Sequence, residues 1–135
     1  MSDEKIPQQF MDLLTERVFA KLGTIMPDGR PQVHQMWADY KDGKVRINTA
    51  IGRQKDENLV ERTYATLLFV DPDNPYRYIE IRGHVAERIV GEEAERHIDT
   101  LSEKYTGNPK YPWRSDSERR VMYLIDPDEV YAYGS

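Results

Sequence analysis

The sequence predicts a mostly β protein, a closed or split antiparallel barrel with flanking helices. Hairpin turn signals stand at Asp28-Gly29 and Asp42-Gly43, each between strand-like runs. Helical spacing of apolar residues occurs in only three places, without the strand–helix alternation of a doubly wound fold. The 135 residues, 39% hydrophobic and 10% aromatic, suffice for one packed domain spanning 1–135.

Taken in order, Pro7 opens a helix at its first position, with Phe10, Leu13, Leu14 and Val18 as its apolar stripe. Phe19 to Ile25 changes to strand-like alternation, Pro27-Asp28-Gly29-Arg30-Pro31 turns the chain, and Gln32 to Tyr40 returns as the second strand. After Lys41-Asp42-Gly43-Lys44, Val45 to Asn48 forms the third strand, and a helix follows near Lys55 to Arg62. Tyr64 to Val70 is continuously apolar, the pattern of a strand buried on both faces. Asp71-Pro72-Asp73-Asn74-Pro75 breaks it, and Tyr76 to Glu87 resumes as a long strand with period two. Gly91 to Tyr105 is helical with Ala94, Ile98 and Leu101 on one side, and Gly107-Asn108-Pro109-Lys110-Tyr111-Pro112 is a loop. Arg120 to Ile125 and Glu129 to Tyr133 close the domain as two strands separated by Asp126-Pro127-Asp128.

A net charge of -5 and a pI near 5.2 argue against a nucleic-acid partner, which would select a basic face. Cysteine is absent, which excludes disulfides and thiolate chemistry. No apolar run approaches the roughly 20 residues of a membrane span, and Met1-Ser2-Asp3-Glu4-Lys5 lacks the basic and apolar regions of a signal peptide. The expectation is a soluble cytoplasmic protein with neither nucleic acid nor membrane as partner.

Side-chain chemistry is sparse. His34, His84 and His97 show no ligand spacing, so no metal site is expected; His97 follows Glu93 by four residues, and the two are expected to pair on the helix. Ser102, Ser115 and Ser117 lack a nucleophile elbow, and the carboxylates cluster in turns without an acid/base pair. An enzyme of this kind takes its hard chemistry from a bound cofactor. The segment Asn48 to Leu59 offers a place for one. It leads from a strand into a helix N-terminus, where unpaired N–H groups, the macrodipole, Arg53 and Lys55 suit a phosphate. It matches neither the P-loop nor the dinucleotide glycine pattern. The alternative is an ordinary corner whose two cations are solvated. Aromatic residues at Trp37, Tyr76, Tyr78 and Tyr111-Pro112-Trp113-Arg114 suit a planar ligand, the alternatives being core packing for Trp37 and a subunit interface for Trp113.

The set Pro27-Asp28-Gly29-Arg30-Pro31-Gln32-Val33, Met36-Trp37, Asn48-Thr49-Ala50-x-Gly52-Arg53-x-Lys55-x-x-Asn58-Leu59, Asp71 to Tyr78, Glu80-x-Arg82-Gly83, His97-Ile98-Asp99, Lys104-Tyr105 and Tyr111-Pro112-Trp113 covers about residues 10 to 133. In this order it resembles the pyridoxamine 5'-phosphate oxidase-like split β-barrel family, within the branch of flavin/deazaflavin oxidoreductases. The resemblance implies a six-stranded split barrel, a homodimer with two cofactor sites at its interface, and coenzyme F420 (8-hydroxy-5-deazaflavin) as cofactor, with FMN as the alternative. By position, Arg53 and Lys55 would hold the cofactor phosphate, helped by Thr49, Ala50 and Asn58. Gln32 and Val33, with Gln35 and Trp37, would line the ring site, and Arg77, Tyr78 and Trp113 would reach in from the second subunit. Arg77 could also join Arg53 and Lys55 in a groove for the acidic deazaflavin tail. Ile51 departs from the family by standing where many relatives carry a charged or small residue, and His34 and Gln35 make the second strand unusually polar. The implied activity is hydride transfer from reduced F420 to a small unsaturated acceptor. An FMN-dependent oxidoreductase of the same fold and a non-catalytic cofactor carrier are the alternatives. No catalytic residue is assigned; Lys55, a tyrosine or solvent could supply a proton.

Overall fold

The computed structural model describes residues 5–134; Met1–Glu4, on which most of the signal-peptide expectation falls, lies outside the described residues. A 3₁₀ turn at Gln8–Phe10 runs into α1 (Asp12–Thr15), followed by β1 (Ala20–Ile25), β2 (Pro31–Met36), β3 (Ala38–Lys41) and β4 (Lys44–Ala50). Next come α2 (Gln54–Glu61), β5 (Tyr64–Val70), β6 (Tyr78–Val90), α3 (Glu92–Thr106) and β7 (Arg120–Tyr133).

The seven strands form one antiparallel sheet in the order β2-β1-β5-β6-β7-β4-β3. Its edges, β2 and β3, are consecutive in the chain with only Trp37 between them. The sheet therefore curls until both edges meet at that residue, and covalent chain rather than a hydrogen-bond ladder joins them. This corrects the expectation of six strands. The run Gln32 to Tyr40 serves two neighbours, because Met36 pairs with Ala20 of β1 while Ala38 pairs with Ile47 of β4, and so it is cut in two. The end of α3 fastens this seam. Lys104 Nζ donates to the carbonyls of Leu14 (2.9 Å) and Ala38 (2.6 Å), and Tyr105 Oη donates to Val18 O (2.6 Å) while accepting from Ala38 N (3.2 Å).

The core fills the barrel with inward residues of alternating strands, among them Leu22, Ile47, Leu67, Phe69, Ile79, Ile81, Tyr123 and Ile125. β5 is not buried on both faces as expected. Ala65, Leu67 and Phe69 point inward, while Tyr64 is exposed and Leu68 and Val70 only half-buried, because a barrel wall has a single interior face. The first helix is also corrected. Pro7 precedes a 3₁₀ turn rather than opening an α-helix, α1 is four residues long, and Val18 is buried beyond its end.

The closing segment is one strand, not two. Asp126-Pro127-Asp128 stays within β7 because past Ile125 that strand pairs only with β6, leaving its other edge free of ladder bonds that Pro127 would miss. The register shifts at Arg82/Gly83 and Val85/Glu87, and the backbones approach so closely that a Cβ on Gly83 would land on the Asp126 carbonyl oxygen. Gly83→Ala is expected to lower stability by about 1–3 kcal/mol, read as a shift of the urea midpoint; an unchanged midpoint would show that the bulge relaxes freely.

Candidate functional site

β4 ends at Ala50, and Gly52 takes a φ of 93°, a left-handed turn that swings the chain into α2. Arg53 is the N-cap residue in extended backbone, and among the described residues no side chain caps the helix start. The Gly52 N–H is occupied by Asp56 Oδ2 (3.0 Å), while Ile51 N donates to Arg119 O (2.8 Å) and binds the start of β7 to the corner.

That tie brings a residue the sequence reading missed. Arg120, nearly buried, lies beside the corner with Arg53 and Lys55. Glu118 bridges the two guanidiniums, Oε2 accepting from Arg53 Nη2 (2.6 Å) and Oε1 from Arg120 Nη1 (2.7 Å). Burial opposes the charge on Glu118, yet the hydrogen bonds and fields of Arg120 and Arg53 outweigh it and hold its carboxyl below the usual range. Lys55 is half-buried and has no carboxylate partner among the described residues; its Nζ lies 3.3 Å from His34 Nδ1 on β2. Desolvation first, and then the fields of Arg53 and Arg120, depress its ammonium pKa. Asp56 adds no compensation, being taken up by Arg88 and by the Tyr123 hydroxyl. Among the described residues the three cationic side chains thus share one carboxylate, Glu118; a second, Glu95, accepts from the Arg120 backbone N–H (2.9 Å) and is paired with Arg114.

Arg120 also links the corner to an aromatic cluster, its Cζ lying 5.4 Å from the centroid of the Tyr111 ring. Trp37, at the barrel seam, stacks on Tyr105 (5.5 Å, 10°) and meets Tyr111 (6.1 Å) and Trp113 (6.4 Å). A cleft of about 300 Å³ opens between Phe19, Gln35, Met36, Trp37, Tyr111 and Trp113. Tyr105 lies beneath it with its hydroxyl pushed up to about 12, chiefly by burial, so it stays protonated in the seam.

The structure therefore gathers Arg53 and Lys55 in one cluster and Gln35, Trp37 and Trp113 in another. Other expected residues sit differently. Gln32 and Val33 occupy opposite faces of β2, since adjacent strand residues alternate. Gln32 Oε1 faces the Asn58 amide at 3.5 Å, whereas Val33 is on the outer face and 62% exposed. Asn58 is fully buried, donating to Thr24 Oγ1 (3.0 Å) and accepting from Gln54 Nε2 (2.8 Å), so it ties α2 to β1 rather than opening onto the corner. Thr49 shares the inward face of β4 with Val45 and Ile47, and its buried hydroxyl has no hydrogen-bond partner among the described residues. Ala50 lies on the opposite face and closes the turn, its carbonyl accepting from Arg53 N (3.2 Å). Arg77 is clamped between Asp12 (2.7 Å) and Asp71 (2.9 Å) over the Phe10 ring, and Tyr78 stacks on Tyr133; neither is brought to the corner of this chain.

Behind the cations runs a buried polar chain. Arg120 Nε donates to Asn48 Oδ1 (2.9 Å), which orients the Asn48 amide so that its Nδ2 donates to Ala94 O (2.9 Å) and to His97 Nδ1 (3.1 Å). His97 Nε2 then carries the proton it gives to Asp39 Oδ1 (3.2 Å), and Asp39 is held by both arms of Arg46 (2.8 and 2.6 Å). His97 thus pairs with Asn48 and Asp39 and not with Glu93, because it faces the barrel rather than solvent. No group of three or more potential metal ligands occurs among the described residues. Glu118 and Arg120 were hidden from sequence reasoning by the pairing of β4 with β7, which sets Arg120 opposite Ala50 across more than sixty residues of chain. The Arg119-Arg120 pair opening the last strand was the one local signal.

The family model described as pyridoxamine 5'-phosphate oxidase matches residues 6–134. A solved structure titled F420 reductase is 30% identical, with a TM-score of 0.83 over 93% of this chain and 98% of the other. A conserved hypothetical protein, Rv2991 of Mycobacterium tuberculosis, is 23% identical with a TM-score of 0.76, covering 98% of this chain and 88% of its own. General stress protein 26 of Bacillus anthracis is 16% identical with a TM-score of 0.65 over 93% and 92% of the two chains. These last two share the fold. Among curated proteins none matches this chain.

Proposed function

We propose, since this chain belongs to the pyridoxamine 5'-phosphate oxidase family, that it is a cytoplasmic oxidoreductase working with a phosphate-bearing flavin-type cofactor, coenzyme F420 in first place. The carrying observation is the junction at Arg120, which joins an under-neutralised cation cluster to an aromatic cleft through the Tyr111 ring. A phosphate fits the corner because Lys55 is a crowded ammonium without a carboxylate partner among the described residues. Arg53 offers a half-exposed guanidinium to the same anion. Gln35, Trp37 and Trp113 would face the ring, giving stacking surface and one polar anchor. When bound, reduced F420 supplies a hydride to a small unsaturated acceptor. The protein then has to position ring and acceptor and keep water out, which an aromatic-walled cleft does. Thr49, Ala50 and Asn58 shape the corner from behind.

The likeness to the structure titled F420 reductase supports the deazaflavin. One observation favours FMN as the second reading: Arg77, the third cation expected to hold an acidic tail, is already clamped by Asp12 and Asp71. We assign the homodimer contact to the outer sheet face, where Val33, Tyr131 and Tyr133 are exposed around the half-buried Ile25, Leu68 and Val70. Tyr78 lies on this face and could approach a partner's site.

Parallel fluorescence titrations with F420 and FMN, following Trp37 and Trp113 quenching, test the assignment. Tight F420 with weak FMN binding is expected. The reverse would move the protein to FMN, and binding of neither would sink the functional reading. Tight binding without reduction of any enone, quinone or tetrapyrrole in an acceptor screen would make it a carrier.

A further inference from the structure

We infer that Glu118 is an internal stand-in for the ligand phosphate, an affinity-setting residue whose carboxylate an entering anion must displace. The inference rests on the reading of the corner as a phosphate site, and adds a role for a residue outside the expected set. A single carboxylate spans the two guanidiniums, one oxygen on Arg53 Nη2 (2.6 Å) and the other on Arg120 Nη1 (2.7 Å). Two oxygens of a phosphate would make the same bridge. Glu118 lies outside the regular elements, in the connection between α3 and β7, so its side chain can swing away without unpairing a strand.

Burial explains why such a stand-in is needed. The Arg120 side chain is only 5% exposed, and its other side-chain partners are the neutral Asn48 amide and the Tyr111 ring. Without an anion beside it, a buried guanidinium would be a large unfavourable term. Glu118 supplies that anion when no ligand is bound and competes with one that arrives. Lys55, beyond its reach, leaves the cluster still cationic with Glu118 in place, so an incoming phosphate is attracted before exchange occurs.

The test compares wild type with Glu118→Gln, which keeps the side-chain shape and removes its charge. Calorimetric titrations would use inorganic pyrophosphate and F420, with melting temperatures measured alongside. Glu118→Gln is expected to melt lower without ligand, to bind both probes at least roughly tenfold tighter, and to gain more in melting temperature on ligand addition than wild type. Glu118→Asp keeps the charge but is too short to bridge both guanidiniums, and should fall between the two, which covers the case of a poorly folded glutamine variant. If wild type binds and Lys55→Ala weakens it, but Glu118→Gln binds equally or more weakly, the phosphate site stands and the stand-in role is overturned. If none of the folded proteins binds either probe, the phosphate reading itself falls.

Discussion

Lys55→Ala is expected to weaken cofactor binding roughly ten- to a hundredfold, or about 1–3 kcal/mol. Of the three cations at the corner, Lys55 is the one that Glu118 does not neutralise. Its ammonium is depressed by desolvation and by Arg53 and Arg120, so it has the most to gain from an anion. The sign of the pH effect follows. A bound phosphate restores the ammonium pKa, so binding takes up protons at alkaline pH and affinity falls as pH rises through the depressed pKa of the free protein. Titrations of wild type and Lys55→Ala across the alkaline range read both effects. Equal affinities, or a wild-type affinity that does not fall with pH, would place the phosphate elsewhere.

Asp39→Asn is expected to cost about 3 kcal/mol of stability at neutral pH, because it removes the anion between Arg46 and His97 in a mostly buried network. Burial alone would raise the Asp39 carboxyl, but hydrogen bonds from His97 and Arg46 prevail and hold it at about 2, against an ordinary 3.8. A depressed carboxyl contributes fully above its unfolded pKa and loses that contribution as pH falls toward the folded one. The wild type should therefore lose on the order of 2 kcal/mol from this group between pH 3.8 and 2. Urea midpoints measured down the acid range should fall less steeply for Asp39→Asn. A variant with the wild-type acid slope would mean that other carboxylates govern acid unfolding.

The Asn48–His97–Asp39 chain has a further consequence for the site. Asn48 accepts from Arg120 Nε and Glu118 from Nη1, so two in-plane donors of the buried guanidinium are fixed before any ligand arrives. Pre-set donors of this kind spare the reorganisation that would otherwise weaken anion binding. Asp39 lies on the same sheet face as Asn48 and Arg120, so the stability lost in Asp39→Asn is expected to reach the corner through this hydrogen-bond chain.

What the sequence by itself determined is what short-range chemistry controls. The Pro27–Arg30 and Asp42-Gly43 turns, β5, α3 between its two glycines, and the strand-to-helix corner with Arg53 and Lys55 are all where local signals put them. Each depends on residues within a turn or two of one another. The tertiary structure alone decided which strands are neighbours, and most of the departures follow from that. It split the second strand at Trp37 so that one run could serve both edges of the sheet. It carried Pro127 through a strand at a position with a single neighbour. It turned Asn58 into the barrel and sent Gln32 and Val33 to opposite faces. The pairing of β4 with β7 set Arg120 and Glu118 against a corner more than fifty residues earlier, turning a pair of cations into a charge-bridged site. Turn and helix signals are written in consecutive residues, whereas strand register is fixed by burial of the whole inner face at once.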